Sequence, residues 1–280
     1  MLEFMVFSVA LVLLIIGTIT DIKTREVPDW LNFAGISAGF GINALWALHA
    51  HDWQPIMSSA LGFGVFFVIA CVMYYTGQWG GGDSKLLMAL GALLGFGFSL
   101  SNPAVAFLIW VLLAGAAYGL CWSAWYAAKN FRVVLVRYRK LLEPFRWAHA
   151  LVLGVFALGI AFAIATNDDY LRIVMLVLAL LAPALFYTSL FIKAVELCCM
   201  YKQRTPAELT EGDWIAKPVS VKGRYICGPK DLGITQEKIK RLKKLKVKQV
   251  TVKEGIPFVP SFLIGFLLSI WLGSPLHRLF

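Results

Sequence analysis

No Cys-x-x-Cys pair occurs among the five cysteines, so neither a structural zinc site nor a disulfide framework is expected. Cys71 and Cys121 fall inside apolar runs, Cys227 lies in a polar region, and adjacent Cys198 and Cys199 read as free or acylated thiols beside a membrane. There is no long internal repeat and no low-complexity tract, which argues against a repeat architecture. The first apolar run lacks a basic start and exits into Asp21, which argues against a cleavable signal peptide. Acidic residues are scarce, at 16 against 26 Lys and Arg. The net charge of +10 needs no nucleic-acid partner once its distribution is considered.

Apolar residues are abundant: 59% of the chain is hydrophobic and the mean hydropathy is +0.73, rarely seen in a soluble domain. A span needs about 20 apolar residues to cross about 30 Å of hydrocarbon. Candidates lie near 2–20, 31–49, 56–76, 85–99, 104–128, 148–166, 170–192 and 257–273, the fourth being short for a full crossing. The expected fold class is therefore an all-α integral membrane bundle of about eight transmembrane helices with a small cytoplasmic α+β segment. Three parts are expected: a bundle over 1–192, the cytoplasmic segment over 193–256, and a C-terminal transmembrane helix over 257–280.

Under this model 24 of the 26 basic residues fall on one side, and the opposite loops near 50–55, 100–103 and 167–169 contain none. The positive-inside rule makes the basic side cytoplasmic, with both termini outside. The same charge favours membrane lipids with anionic headgroups as partners. The basic connector 129–147 mixes charge with aromatics and reads as an interfacial segment. In the polar region, Pro218–Val221 predicts a strand, Cys227–Gly233 a turn, and Val247–Val252 a second strand. Thr235 predicts an N-cap with Glu237 in the first turn, and Ile239, Leu242 and Leu245 mark the inner face of that helix. Gly35 and Gly39, and Gly91 and Gly95, keep a four-residue spacing that allows close helix approach in lipid.

Two aspartates carry the functional reading. Asp21 closes the first apolar run, and Asp83 ends the loop Gly80-Gly81-Gly82 before another. Two spans lie between them, so both carboxyls belong at the same membrane face whichever way the bundle is oriented. Ionisable groups beside a lipid interior are costly and point to function. Singly, Asp83 reads as a helix cap and Asp21 as a boundary residue; jointly, their matched sidedness and the glycine loop favour chemistry. Two carboxyls sharing a site hydrolyse an amide when one is ionised and the other protonated, and such a pair titrates as a unit. The dipoles of their own helices would favour Asp83 as the base and Asp21 as the acid.

The stretch Asp21-Ile-Lys-Thr-Arg-Glu-Val-Pro-Asp-Trp-Leu-Asn32, with Gly80-Gly-Gly-Asp-Ser-Lys-Leu-Leu87 opening a later span, resembles the prepilin peptidases. These are membrane aspartyl proteases of the Gly-x-Gly-Asp type, and the similarity leans to the archaeal preflagellin and prepilin branch. The resemblance implies that Asp21 and Asp83 are the catalytic dyad. It also implies cleavage of the short basic leader of type IV pilin-like precursors at the cytoplasmic membrane face. No cofactor and no metal are implied, and without Cys-x-x-Cys or an evident methyl-donor site, peptidase activity alone is expected. The pair of spans near 148–192 is an addition to the six or so of smaller archaeal relatives.

Other residues around the pair have expected roles. Glu26 and Asp29 would attract the basic leader, or remain solvated loop charges. Gly80, Gly81 and Gly82 would leave open backbone against which an extended peptide pairs. Lys85 would bias the dyad's charge or, preferably, snorkel to headgroups. Pro183-Ala184-Leu185 matches a tripeptide of presenilin-type proteases, but a proline kink explains it better. The rival readings are a transporter using the acidic pair for a proton or cation, and a pilus-assembly scaffold. The sequence is silent on oligomeric state.

Overall fold

The computed structural model describes residues 1–99, 101–221 and 223–275. Ten α-helices and five short strands are present among the described residues. The helices are α1 (Leu2–Thr24), α2 (Asp29–Ala50), α3 (Gln54–Tyr75), α4 (Gly81–Leu94), α5 (Pro103–Lys129), α6 (Phe131–Leu142), α7 (Arg146–Ala165), α8 (Asp169–Val195), α9 (Gln236–Lys244) and α10 (Val259–Leu272). The strands are β1 (Tyr201–Arg204), β2 (Trp214–Ile215), β3 (Val219–Val221), β4 (Arg224–Cys227) and β5 (Val250–Lys253).

Six helical runs are long and apolar enough to cross a membrane: α1, α2, α3, α5, the run Phe131–Ala165 through α6 and α7, and the run Asp169–Met200 through α8. This makes the chain a multi-pass membrane protein, but not one with eight full-length spans. Helices α4 and α10 have 14 residues each, about 21 Å at 1.5 Å per residue, short of about 30 Å of hydrocarbon. Both stop at a glycine of positive φ, Gly95 at 64° and Gly273 at 67°. The apolar residues beyond Gly95 extend the hydropathy signal without extending the helix.

The chain divides into two compact units. The first comprises Met1–Gly119, Arg204–Val250 and Glu254–Phe280, and the second Leu120–Gln203 with Thr251–Lys253. This division cuts across the three parts expected from composition.

In the first unit, α2 and α3 pack closely on α4 through glycine. A Cβ at Gly39 would lie 2.7 Å from the Ala92 carbonyl carbon, and one at Gly91 2.6 Å from Phe66 Cβ. The expected role of these glycines in helix packing therefore holds. The core joins Leu14, Leu31, Phe66, Leu86, Leu90, Phe107, Phe262 and Phe266, all at most 1% exposed. Phe66 stacks on Phe107 with centroids 6.1 Å apart, and Trp79 meets Phe262 edge-on at 5.1 Å. Strands β3 and β4 form an antiparallel hairpin with Ser220 opposite Tyr225. Ile239 and Leu242 of α9 are buried while Leu245, just past its end, is exposed, and Thr235 occupies the N-cap without a side-chain capping bond.

The second unit has a small core of its own, in which Val134 of α6 and Ala194 and Val195 of α8 meet Tyr138 and Leu141. The exposed residues of α6 include Arg132, Arg137, Arg139 and Lys140 together with Phe131, Val133 and Val136. Glu196, after α8, is bonded by Lys193 Nζ at 2.9 Å, Lys253 Nζ at 2.9 Å and the Tyr201 hydroxyl at 3.1 Å.

Candidate active site

Asp21 lies in the last turn of α1, which winds on to Thr24 and stops at Arg25 in left-handed backbone with φ 58°. Pro28, extended at φ −61° and ψ 137°, then opens α2. This tight exit folds Val27 inward, only 6% exposed, beneath the start of α4. A Cβ on Gly82 would come within 3.1 Å of the Val27 amide nitrogen, so a larger residue here would press on Val27 by a few tenths of an ångström. Close approach, rather than left-handed backbone, is what glycine supplies here.

Asp83 occupies the third position of α4, where its Oδ2 accepts a hydrogen bond from the Gly80 amide at 3.2 Å. That bond winds Gly81 and Gly82 into the first helical turn, and only Gly80 keeps extended backbone. The open three-glycine loop expected from the sequence is thus shorter in the structure. The capping role weighed for Asp83 is real, and it coexists with a second property. Asp83 lies within electrostatic reach of the Asp21 carboxyl.

Helix α10 completes the arrangement. Asp21 is 4% exposed, and its Oδ2 accepts a 2.9 Å hydrogen bond from the Val259 amide at the first turn of α10. Both carboxyls therefore sit at helix N-termini, where positive dipole ends favour anions. The α10 N-terminus offsets the unfavourable dipole end of α1 at Asp21, an effect the two parent helices alone do not include. Trp79 secures the same corner, its ring 5.6 Å from Phe258 and 5.1 Å from Phe262. The Arg25 guanidinium donates to the Gly255 carbonyl just before α10.

The remaining expected residues separate. Lys85 neither snorkels alone nor lies free: its Nζ is 2.7 Å from Asp29 Oδ1 and 5.8 Å from the Phe33 ring centroid. The Asp29 carboxylate of α2 pairs with it, so Lys85 competes with a basic leader for Asp29. Glu26 remains exposed and lies within electrostatic reach of Asp213. Burial pushes the Asp213 carboxyl above its ordinary range, the Thr210 amide opposes this, and Glu26 adds to it. The polar segment carrying Asp213 rests against the α3–α4 turn, where a Cβ at Gly77 would meet the Trp214 ring at 2.8 Å. Tyr74 also donates to the Leu232 carbonyl at 3.2 Å.

Part of the chain has counterparts among known proteins. Residues 8–120 match the type IV leader peptidase family. The matched stretch carries both aspartates and ends within a residue of the boundary between the compact units. The chain is similar to the preflagellin peptidase of Methanocaldococcus jannaschii, 36% identical over 88 residues, which cover 31% of this chain and 37% of the relative. It is also similar to the preflagellin peptidases of Methanococcus voltae, 33% identical over the same shares, and of Methanococcus maripaludis. The last is 31% identical over 34% of this chain and 39% of the relative. The chain thus spans little more than a third of the curated relatives it matches. No solved structure gives a significant match.

Sequence reasoning missed three participants at the site. The Val259 amide is 238 residues from Asp21, and no local pattern announces a backbone donor at that distance. Asp213 lies among ordinary turn residues. Asn32 did carry a signal, as an uncharged polar residue at the start of an apolar helix, yet it was read only as part of a motif.

Proposed function

We propose that this chain is a membrane aspartyl endopeptidase that removes the short basic leader from type IV pilin-like precursors, prepilins or preflagellins, at the cytoplasmic membrane face. The observation carrying this reading is the meeting of Asp21 and Asp83, 62 residues apart in sequence, at one end of an apolar bundle inside the family-matched region. The names of the relatives support the substrate class. The concentration of Lys and Arg in the loops and the polar segment supports the cytoplasmic orientation.

In the proposed reaction one carboxyl is ionised and the other protonated, as expected for a pair that titrates together. The carboxylate takes a proton from water as its oxygen attacks the scissile carbonyl carbon. The protonated partner donates toward the carbonyl oxygen. Collapse of the tetrahedral intermediate breaks the C–N bond, with a proton delivered to the leaving nitrogen. The leader departs with a new carboxyl terminus, and the mature protein keeps a new amine. A precursor's hydrophobic helix enters the bundle laterally while its Lys/Arg leader stays at the surface. There Glu26, with Asp29 held by Lys85, is the remaining near-site carboxylate on the α1–α2 turn.

The test is incubation of the protein in liposomes with a precursor bearing a basic leader before its hydrophobic helix, read by mass spectrometry. The expected result is one cleavage between leader and helix, absent when the leader's basic residues are replaced. No cleavage of several such precursors would overturn the proposal and favour the transporter or scaffold readings.

A further inference from the structure

Asn32 is fully buried at 0% exposure in the first turn of α2, facing the start of α4. Its Nδ2 donates to the Gly82 carbonyl at 3.4 Å, directly beside Asp83. Its Oδ1 is buried without a hydrogen-bond partner among the described residues. The side-chain hydroxyl of Ser84, on the other side of Asp83 and 3% exposed, is likewise unpartnered. Further along α4, buried polar groups of α2 and α3 are satisfied. Asn43 Nδ2 bonds the Gly39 carbonyl at 2.8 Å, and Ser59 Oγ bonds the Ala92 carbonyl at 2.6 Å. Among the described residues of α2, α3 and α4, the unmet buried side-chain atoms, Asn32 Oδ1 and Ser84 Oγ, therefore lie beside Asp83.

A buried acceptor left unpaired is costly, and a leucine would pack this helix contact without that cost. Joining the α2 and α4 N-termini does not require it either, since Lys85 and Asp29 already do so. We infer that Asn32 is a positioning residue for the proposed hydrolysis, with its Nδ2 clamping the Gly82 carbonyl and its Oδ1 accepting a hydrogen bond from a donor that arrives with the reaction. The donor is either the attacking water or a backbone N–H of the extended precursor. The amide orientation follows from chemistry, because only the NH2 group can face the Gly82 carbonyl. This rests on the peptidase reading, and the unmodified protein serves as the control that separates the two.

The experiment compares the unmodified protein, Asn32→Leu and Asn32→Asp in the liposome cleavage assay. Asn32→Leu is expected to lose about tenfold or more in kcat, about 1.4 kcal/mol of barrier, while its unfolding midpoint is kept or raised. An unchanged KM identifies the donor as water, and a raised KM identifies it as the precursor's N–H. Asn32→Asp retains the shape and, when protonated, both donor and acceptor; when ionised it can no longer donate to Gly82. It should therefore keep activity at acidic pH and add an extra loss on the alkaline side of the pH–rate profile. If Asn32→Leu does not fold, the Asn32→Asp profile decides alone. The inference is overturned if Asn32→Leu stays within about twofold of the unmodified protein, or if the Asn32→Asp profile superimposes on the unmodified one. Absence of cleavage by the unmodified protein overturns the peptidase reading instead.

Discussion

Replacing Gly39 by alanine should destabilise the bundle, whereas the same change two residues further along α2 should not. A Cβ at Gly39 meets three atoms of α4: the Ala92 carbonyl carbon at 2.7 Å, Ala92 Cβ at 2.8 Å and the Leu93 nitrogen at 2.8 Å. Ordinary contact begins near 3.4 Å, so α2 and α4 must part by 0.7 Å. Two of the three atoms are backbone, and none can rotate away. That separation also stretches the Asn43 Nδ2 contact to the Ala92 carbonyl, already 3.4 Å. Overpacking of this kind costs about 1–3 kcal/mol. The helix-propensity gain of Gly→Ala offsets at most about 1 kcal/mol. At Gly41 no atom lies within 4 Å of the added Cβ, so only the propensity gain remains. The pair of variants cancels that gain, leaving Gly39→Ala about 1–3 kcal/mol below Gly41→Ala. Unfolding in detergent, followed by circular dichroism over matched denaturant or temperature ranges, reads the difference. Equal midpoints for the two variants would refute the close α2–α4 contact.

Other consequences are smaller or more local. The Lys85–Asp29 pair has side chains 39% and 61% exposed, so a Lys85→Met and Asp29→Asn double-mutant cycle should give a coupling of about 1 kcal/mol or less. Raised salt should shrink it further, and an insensitive coupling would contradict an exposed pair. At Asp231, burial raises the carboxyl's pKa, but bonds from Lys238, the Gly228 amide and the Tyr225 hydroxyl outweigh this and hold it below its ordinary range. A folded pKa below the unfolded one stabilises fully above about pH 4 and loses that stabilisation as pH falls through the lowered folded value. Hydrogen exchange at Gly228 and in the β3–β4 hairpin, corrected for intrinsic rates, should accelerate on acidification, and Asp231→Asn should abolish that dependence.

Much of the membrane architecture was legible because hydropathy and parity are robust signals. Helices α1, α2 and α3 lie where the apolar runs place them, and two crossings between Asp21 and Asp83 put both carboxyls at one end. The four-residue glycine spacing foretold close helix approach, seen where α2 and α3 meet α4, and the apolar period of α9 buried Ile239 and Leu242. The shortness of the fourth run was legible, but that of the last was not, because Gly273 ends its helix through backbone geometry that hydropathy averages over. The pairing of Lys85 with Asp29 was not legible because the two are 56 residues apart. The bond from the Val259 amide to Asp21 lies further out of reach, since backbone donors carry no side-chain signature. The boundary of the second compact unit falls inside the continuous helix α5, where no composition shift marks it.

Cleavage rates of Asp21→Asn, Asp83→Asn and the double variant, each first verified as folded by its unfolding midpoint, bear most directly on the proposed chemistry. A single catalytic pair predicts that all three fall to the same residual rate, because two groups acting as a unit are not additive in their loss. Retention of cleavage by either single variant within about twofold of the unmodified protein, or a double variant that loses the product of the two single losses, would contradict it.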